Sequence, residues 1–214
     1  MKRNFIFFDF DGVIADSFSP AFEVNKMICP GITEDDYRKR LEGNINEWWE
    51  KTTDEKHTDK CRHDIDFFKE YLPKMEKSTI VFPGMKDVIV KLANLYSLII
   101  ISSTTTNPIR EFMIKNDMEK YFTEIMGNDV HKSKVEKIKM IFLKYKIDPK
   151  KCIFITDTLG DIREAEFTKV QTIGVSWGFH NKETLLKGKP FKIVDEPKDL
   201  ILAVSDYFSN KIYS

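Results

Sequence analysis

Four short apolar runs along the chain predict β-strands that are buried on both faces. Each run is continuous rather than alternating, as in parallel strands covered by helices on both sides. The runs lie at residues 5–8, 98–101, 152–155 and 172–175. Two weaker runs, at residues 124–126 and 191–194, predict further strands.

Helical periodicity fills the intervals between these strands. Apolar positions spaced three and four apart predict helices that begin near Met85 and Val135. A third helix is predicted to begin at Pro108, with Asn107 as its N-cap. Strands that alternate with helices over residues 80–200 predict an α/β fold, with a Rossmann-like doubly wound parallel sheet as its core.

Residues 17–80 interrupt this alternation. They contain no convincing strand but many charged and aromatic side chains, including Trp48 and Trp49. We expect an inserted, all-helical unit. The turn at residues 82–84 (Phe-Pro-Gly) follows this unit and returns the chain to the sheet. The predicted domains are therefore a core of residues 1–16 and 81–214 and a helical insert of residues 17–80.

Charge and cysteine content narrow the class of protein. The 34 basic and 34 acidic residues cancel, so no net field favours nucleic acid or an anionic membrane. The apolar runs are too short to span a bilayer, and a cytoplasmic protein is expected. Its three cysteines, Cys29, Cys61 and Cys152, are widely spaced, which favours reduced thiols over a disulfide framework.

An acidic pair, Asp9 and Asp11, directly follows the first predicted strand. The carboxyl ends of parallel strands open into the crevice that usually receives ligands. Two positions apart, both carboxylates can face one reacting centre, and Gly12 allows the backbone to turn away. An isolated Asp-x-Asp is more often a solvated turn than a site, so the pair alone does not establish chemistry.

A second acidic pair, Asp157 and Asp161, follows the strand predicted at 152–155. If the two strands are neighbours, these side chains and Asp9 form an oxygen-rich site of the kind that binds Mg²⁺. Asp161 also precedes a helical pattern, so helix capping is an equally good interpretation of that residue. Asp157 is the stronger metal candidate.

Two further features suit a phosphate group. The hydroxyl-rich loop that begins at Ser102 and Ser103 leads into a helix N-terminus, although such turns are often purely structural. Lys132 and Lys134 lie where another helix begins, against the preference of the helix dipole for acidic groups. We favour Lys134 as the phosphate ligand because it directly precedes the apolar helix pattern, with Lys132 as the rival and a solvated lysine as the alternative.

Taken together, these features resemble the four motifs of the haloacid dehalogenase superfamily. The matching positions are Asp9-Phe10-Asp11-Gly12-Val13, Ser102, Lys134 and Asp157-Thr158-x-x-Asp161. The chain looks most similar to the phosphoglycolate phosphatase-like branch, whose helical cap is inserted where residues 17–80 lie. One departure is Thr156, which stands where the family often has glycine.

The resemblance implies a Mg²⁺-dependent phosphomonoester hydrolase that acts on a small phosphorylated metabolite. Asp9 would be the nucleophile that forms an aspartyl-phosphate, and Asp11 the general acid and base. The metal set would be Asp9, Asp157, the main-chain carbonyl of Asp11 and, in an outer position, Asp161. Ser102, an amide near Ser103, and Lys134 would bind the phosphoryl oxygens.

Substrate choice and reaction type leave alternatives open. Arg40, Gly43 and Asn44 resemble the family's specificity loop, although a charged helix that ends at Gly43 fits them equally well. A phosphomutase of the β-phosphoglucomutase kind would share the same core and cap. A catalytically silent binding or regulatory module would be expected to lose motif residues, and none is lost here.

Overall fold

The computed structural model describes residues 4–44, 61–62 and 64–209. Trp48 and Trp49, expected to pack in the helical insert, lie outside these residues. Within the described part of the chain, no helix is both long and apolar enough to cross a membrane.

A six-stranded parallel sheet forms the core, in the order β5-β4-β1-β6-β7-β8. This confirms the predicted α/β class. All six strands were predicted from their apolar runs, within two residues at each end. The strands of the structure are β1 (Phe5–Phe8), β2 (Ala15–Asp16), β3 (Ile80–Val81), β4 (Ser97–Ile101), β5 (Phe122–Met126), β6 (Cys152–Thr156), β7 (Gln171–Val175) and β8 (Lys192–Val194).

Helices cover both faces of the sheet, as a doubly wound fold requires. Alternate residues of β1 join different apolar clusters, with Ile6 and Phe8 in one and Phe5 and Phe7 in the other. The helices are α1 (Phe18–Ile28), α2 (Glu34–Arg40), α3 (Phe67–Ser78), α4 (Met85–Ala93), α5 (Thr106–Lys115), α6 (Lys134–Tyr145), α7 (Leu159–Phe167), α8 (Lys182–Leu186) and α9 (Leu200–Ser209).

A short antiparallel pair, β2 with β3, joins the insert to the core. The sequence did not predict these strands because two residues each are too short to show a period. Helices α1, α2 and α3 lie in the chain between them, and α1 packs against α3. The exact boundaries of the insert, 17–80, stay a prediction.

The predicted start of α5 was wrong by two residues. The helix begins at Thr106, after Thr105 as N-cap, rather than at Pro108 after Asn107. Pro108 is instead the third residue of the helix, where a missing N–H costs nothing because first-turn amides have no partner within the helix.

The prediction of reduced thiols was wrong for two of the three cysteines. Cys29 and Cys61 form a disulfide, with Cα atoms 4.2 Å apart, whereas Cys152 is free and buried. Their separation of 32 residues hid this proximity, which arises only when the segment before α3 folds back onto the end of α1. The Arg62 amide donates to the Ile28 carbonyl beside it, at 2.6 Å.

Candidate active site

The strand order brings three predicted site residues to one edge of the sheet. Strand β1 lies between β4 and β6, parallel to both. Asp9, Ser102 and Asp157 each directly follow one of these strands. Because parallel strands end on the same side, residues about 50 and 90 positions apart along the chain meet there.

A buried lysine links two of the acidic motifs. Lys134 Nζ lies 2.7 Å from Asp9 Oδ2 and 2.7 Å from Asp161 Oδ2, and all three side chains are less than a tenth exposed. Lys132 is exposed, so the structure brings Lys134 and not its rival to Asp9. Asp161 does not cap α7, because Thr158 is the N-cap and accepts from the Asp161 amide.

The charges in this cluster shift one another's titration. Burial raises the pKa of Asp9 well above its ordinary value, and Lys134 opposes that rise. Burial works against the charged form of Lys134, but Asp161 and Asp9 outweigh it and raise the pKa of the lysine. Burial works to raise the pKa of Asp161, but the charge of Lys134 and the hydrogen bonds with Asp9, Lys134 and Thr156 together outweigh it and lower the pKa of that carboxyl. Lys134 is therefore a fixed positive charge beside Asp9.

Asp11 is held by three hydroxyl groups. Ser17 and Tyr71 donate to Oδ1 at 2.7 and 2.6 Å, and Thr104 donates to Oδ2 at 2.7 Å. Burial and the nearby Asp11 charge raise the pKa of Tyr71 well above its ordinary value, so the phenol is the donor. The carboxylate of Asp11 is thus fixed in orientation while it lines the cavity above Asp9.

Asp157 has the features of a cation ligand. It is fully buried, and its Oδ1 has no hydrogen-bond partner among the described residues, while Oδ2 accepts from the Phe179 amide at 2.7 Å. Burial raises its pKa to about 7. A buried carboxylate oxygen without a partner is costly unless a cation satisfies it. Gly12 allows the close approach of this side chain, since its φ is +73° and a Cβ there would collide with the Asp157 carboxylate.

The donor set suits Mg²⁺ with water rather than a cage made of side chains. Among the residues that the structure describes, no three carboxylate, imidazole or thiol side chains converge closely enough to hold a metal by themselves. Asp161 is already bound by Lys134 and by the Thr156 hydroxyl, at 2.7 Å each. Asp9 Oδ2 also accepts from Lys134, but Asp9 Oδ1 accepts from the Phe10 amide alone among the described residues and keeps a lone pair for a cation. Asp9, Asp157 and the carbonyl of Asp11 are therefore the candidate ligands, and Mg²⁺ commonly keeps several waters beside one or two carboxylates.

Hydrogen bonds from buried groups hold the hydroxyl-rich loop after β4. Ser102 is fully buried, and its Oγ accepts from the Thr104 amide at 2.9 Å. Ser103, its neighbour, lines the cavity. Lys137 is fully buried beneath the loop and donates to the carbonyls of Ser102 at 2.5 Å and Gly127 at 3.4 Å. Sequence reasoning missed Lys137, although it follows Lys134 by one helical turn.

The burial of Lys137 is expected to make the stability of the folded protein depend on pH. Burial, with the nearby charge of Lys134, lowers its pKa to about 8 from an ordinary 10.5. Between these values the unfolded chain binds more protons than the folded one, so this lysine makes the free energy of unfolding rise with pH. Between pH 8 and 10.5, the free energy of unfolding of the wild type should rise by up to about 3 kcal/mol relative to that of Lys137→Met.

Urea unfolding of both proteins at several pH values measures this difference. A difference that is constant over the window would contradict the lowered pKa of Lys137. The exposed Lys139→Met on the same helix is the matched control and should show no such trend.

A cavity of about 370 Å³ lies between the core and the insert. Asp9, Asp11 and Lys134 line its core side. Gly43 lines it as well, whereas Arg40 and Asn44 are not among the lining residues. The lining residues contributed by the insert are largely apolar or aromatic and include Ala21, Ile28, Tyr37, Ile65, Phe67 and Phe68.

The predicted specificity loop docks onto α7. The Leu41 carbonyl accepts from the Gly160 amide at 3.1 Å, and Asn44 donates to Glu164 at 2.9 Å. Arg40 is buried inside the insert, 3.4 Å from Asn25 Oδ1. A side chain at Gly160 would collide with the carbonyl of Gly43. Asn44 therefore joins the insert to the core, and Arg40 packs within the insert.

Four residues that contact the predicted carboxylates were not predicted. Thr156 was noted only as a departure from glycine, yet its hydroxyl donates to Asp161. Ser17, Tyr71 and Thr104 lie in different parts of the chain and meet only at Asp11. The position of Thr104 in a hydroxyl-rich loop was a usable signal, but no local pattern pointed to Tyr71.

Comparison with protein families supports the resemblance seen in the motifs. The model of the haloacid dehalogenase-like hydrolases matches residues 6–175, most of the chain. The matched range includes Asp9, Asp11 and Asp157.

Individual relatives and structures agree. A phosphoglycolate phosphatase from Synechococcus elongatus is 21% identical over 94% of this chain and 96% of its own length. One from Salmonella typhi is 25% identical over 64% of this chain, and the match covers 56% of that protein. A crystal structure from Clostridium acetobutylicum, described as a predicted phosphatase, shares the fold with a TM-score of 0.76 at 21% identity, over 96% of this chain and all of that one.

Proposed function

The chain belongs to the haloacid dehalogenase-like hydrolases and is a phosphatase, and we propose that it hydrolyses a small phosphomonoester with Mg²⁺ through an aspartyl-phosphate. The observation that carries this proposal is the meeting of the four motifs at one sheet edge. Asp9, Asp11 and Lys134 line one cavity there, with Asp157 buried beneath it.

Asp9 is the proposed nucleophile. Its carboxylate attacks phosphorus, and the bond from phosphorus to the leaving oxygen breaks, which divides a difficult displacement into two easier ones. Lys134, held between Asp9 and Asp161, keeps a positive charge at the point where phosphoryl oxygens arrive. Ser103, which lines the cavity, and the loop above Lys137 present further donors for the same oxygens.

Asp11 is the proposed general acid and base. It gives a proton to the leaving alcohol in the first step and takes one from the attacking water in the second. Its position in the cavity, two residues beyond Asp9, supports this role. The hydroxyl groups that hold it fix the direction from which it exchanges protons.

Asp9, Asp157 and the carbonyl of Asp11 would hold Mg²⁺, with Asp161 in an outer position. When bound, the ion reduces the repulsion between an anionic nucleophile and an anionic phosphoryl group. The Oδ1 atom of Asp157, which has no hydrogen-bond partner in the described part of the chain, supports this set.

The insert would select the substrate through the cavity wall. Gly43 lines the wall and Arg62 adds a cationic side chain, so contacts of both with the alcohol part of the substrate are proposed. Arg40 and Asn44 would act on the substrate only through the shape of the loop that they hold. A location in the cytoplasm, without nucleic-acid or membrane partners, stays a prediction, and the Cys29–Cys61 disulfide is unusual for that compartment.

Phosphate release from a panel of phosphomonoesters tests the proposal, with phosphoglycolate included because of the relatives' activity. We expect hydrolysis with Mg²⁺, a fall of at least about a hundredfold with chelator, and recovery on adding Mg²⁺. Full activity in chelator would contradict the metal dependence.

The phosphomutase alternative differs in the acceptor of the phosphoryl group. No contact among the described residues favours a sugar hydroxyl over water. Transfer of phosphate to glucose phosphate in place of release to water would identify the mutase.

A further inference from the structure

Tyr71 is the hydrogen-bond donor that helix α3 of the insert contributes to Asp11. It lies in α3, is 2% exposed, and its hydroxyl is 2.6 Å from Asp11 Oδ1. The ring stacks on Phe67, with centroids 5.2 Å apart and ring planes 22° apart. The phenol is therefore held by the packing of α3 and points at the acid of the core.

The two oxygens of Asp11 are engaged differently. Oδ1 accepts from Ser17 and Tyr71, whereas Oδ2 accepts from Thr104 alone among the described residues. A carboxylate oxygen has two lone pairs for hydrogen bonding. Oδ1 is thus filled, and Oδ2 keeps one lone pair for a proton. The exchanging oxygen is then Oδ2.

We propose that Tyr71 is a positioning residue, which fixes Asp11 so that Oδ2 exchanges the proton with the leaving alcohol. This inference rests on the proposed function. In the first step Asp9 bonds to phosphorus, the bond from phosphorus to the leaving oxygen breaks, and the proton on Oδ2 passes to that oxygen. In the second step the oxygen of the attacking water bonds to phosphorus, the bond from phosphorus to Asp9 breaks, and a proton of that water returns to Oδ2. Tyr71 takes no proton in either step.

The placement of Tyr71 gives the insert a role in proton transfer as well as in enclosure. Ser17 precedes α1 at the junction of the insert, Tyr71 lies in the insert, and Thr104 lies in the core. The three donors meet only when the insert is seated on the core, as in this structure. Orientation of the acid is thereby coupled to the packing that closes the cavity.

The leaving group decides how much the reaction needs this proton. An alkyl alcohol is a poor leaving group without protonation, whereas p-nitrophenolate departs without it. The parameter kcat/KM includes steps only up to phosphoryl transfer to Asp9. The ratio of kcat/KM for ethyl phosphate to that for p-nitrophenyl phosphate therefore reports proton donation by Asp11.

The test compares Tyr71→Phe with the wild type in the presence of Mg²⁺. We expect kcat/KM for ethyl phosphate to fall about tenfold, part of what general acid catalysis contributes, and for p-nitrophenyl phosphate by less than about twofold. Ser17→Ala, which removes the other donor to Oδ1, should shift the ratio in the same direction. Asp11→Asn, which cannot donate the proton, shows the change in this ratio when general acid catalysis is lost completely.

The matched control is Tyr207→Phe, a buried tyrosine whose hydroxyl donates to the Cys152 carbonyl at 2.9 Å. It should lower the melting temperature and leave the ratio unchanged. Equal falls for both esters in Tyr71→Phe, or no fall at all, would overturn the inference. A wild type that hydrolyses neither ester, or an Asp11→Asn variant with no selective loss, would instead contradict the proposed function.

Discussion

Replacement of Asp9 by Asn is expected to reduce phosphate release by at least about a thousandfold while the protein stays folded. The amide has nearly the shape of the carboxylate but cannot attack phosphorus, so the two-step route is lost. Initial rates with saturating Mg²⁺ measure the effect, and circular dichroism checks the fold.

The control for Asp9→Asn is Asp206→Asn, the same chemical change on α9, where the carboxylate pairs with Lys192. It should retain close to wild-type rates. Residual activity of Asp9→Asn within about tenfold of the wild type would assign the nucleophile to another group, such as an activated water.

Replacement of Lys134 by Met is expected to lower both the stability and the turnover of the protein. It leaves Asp9 and Asp161 buried with no cation between them. Breaking a buried pair in this way costs about 3 kcal/mol of unfolding free energy, and the phosphoryl group loses its fixed positive charge. We expect turnover to fall by about a hundredfold or more.

Lys132→Met provides the matched control because Lys132 precedes the same helix but is exposed. Its unfolding free energy should change by less than about 0.5 kcal/mol and its turnover by less than about twofold. Comparable losses in both variants would contradict the assignment of Lys134.

Much of the fold was predictable because its strands are buried on both faces. A continuous apolar run such as residues 98–101 strongly favours a parallel strand when similar runs recur between helical patterns. The pair β2 and β3 was not predictable, since two residues carry no period. The Cys29–Cys61 disulfide was hidden for a different reason, because it depends on how the chain folds back within the insert.

The residues of the candidate site also fall into those that the sequence could predict and those that it could not. Asp9, Asp11 and Asp157 could be predicted as candidates because each closely follows an apolar strand, and parallel strands end on the same side of a sheet. Tyr71 was not found, because a tyrosine in an amphipathic helix looks like a packing residue until the partner across the cavity is known. Arg40 and Asn44 were predicted to contact the substrate because they resemble the family's specificity loop. In the structure their side chains make contacts away from the cavity.

As the proposed nucleophile, Asp9 carries the phosphoryl group during turnover. A substrate labelled in its phosphoryl group, mixed with enzyme and Mg²⁺ and quenched in acid within one turnover, tests this most directly. We expect label on the peptide that contains Asp9, labile to hydroxylamine, and none on Asp9→Asn. Single-turnover hydrolysis with no label on the protein at any time point, with Asp9→Asn remaining active, would contradict it.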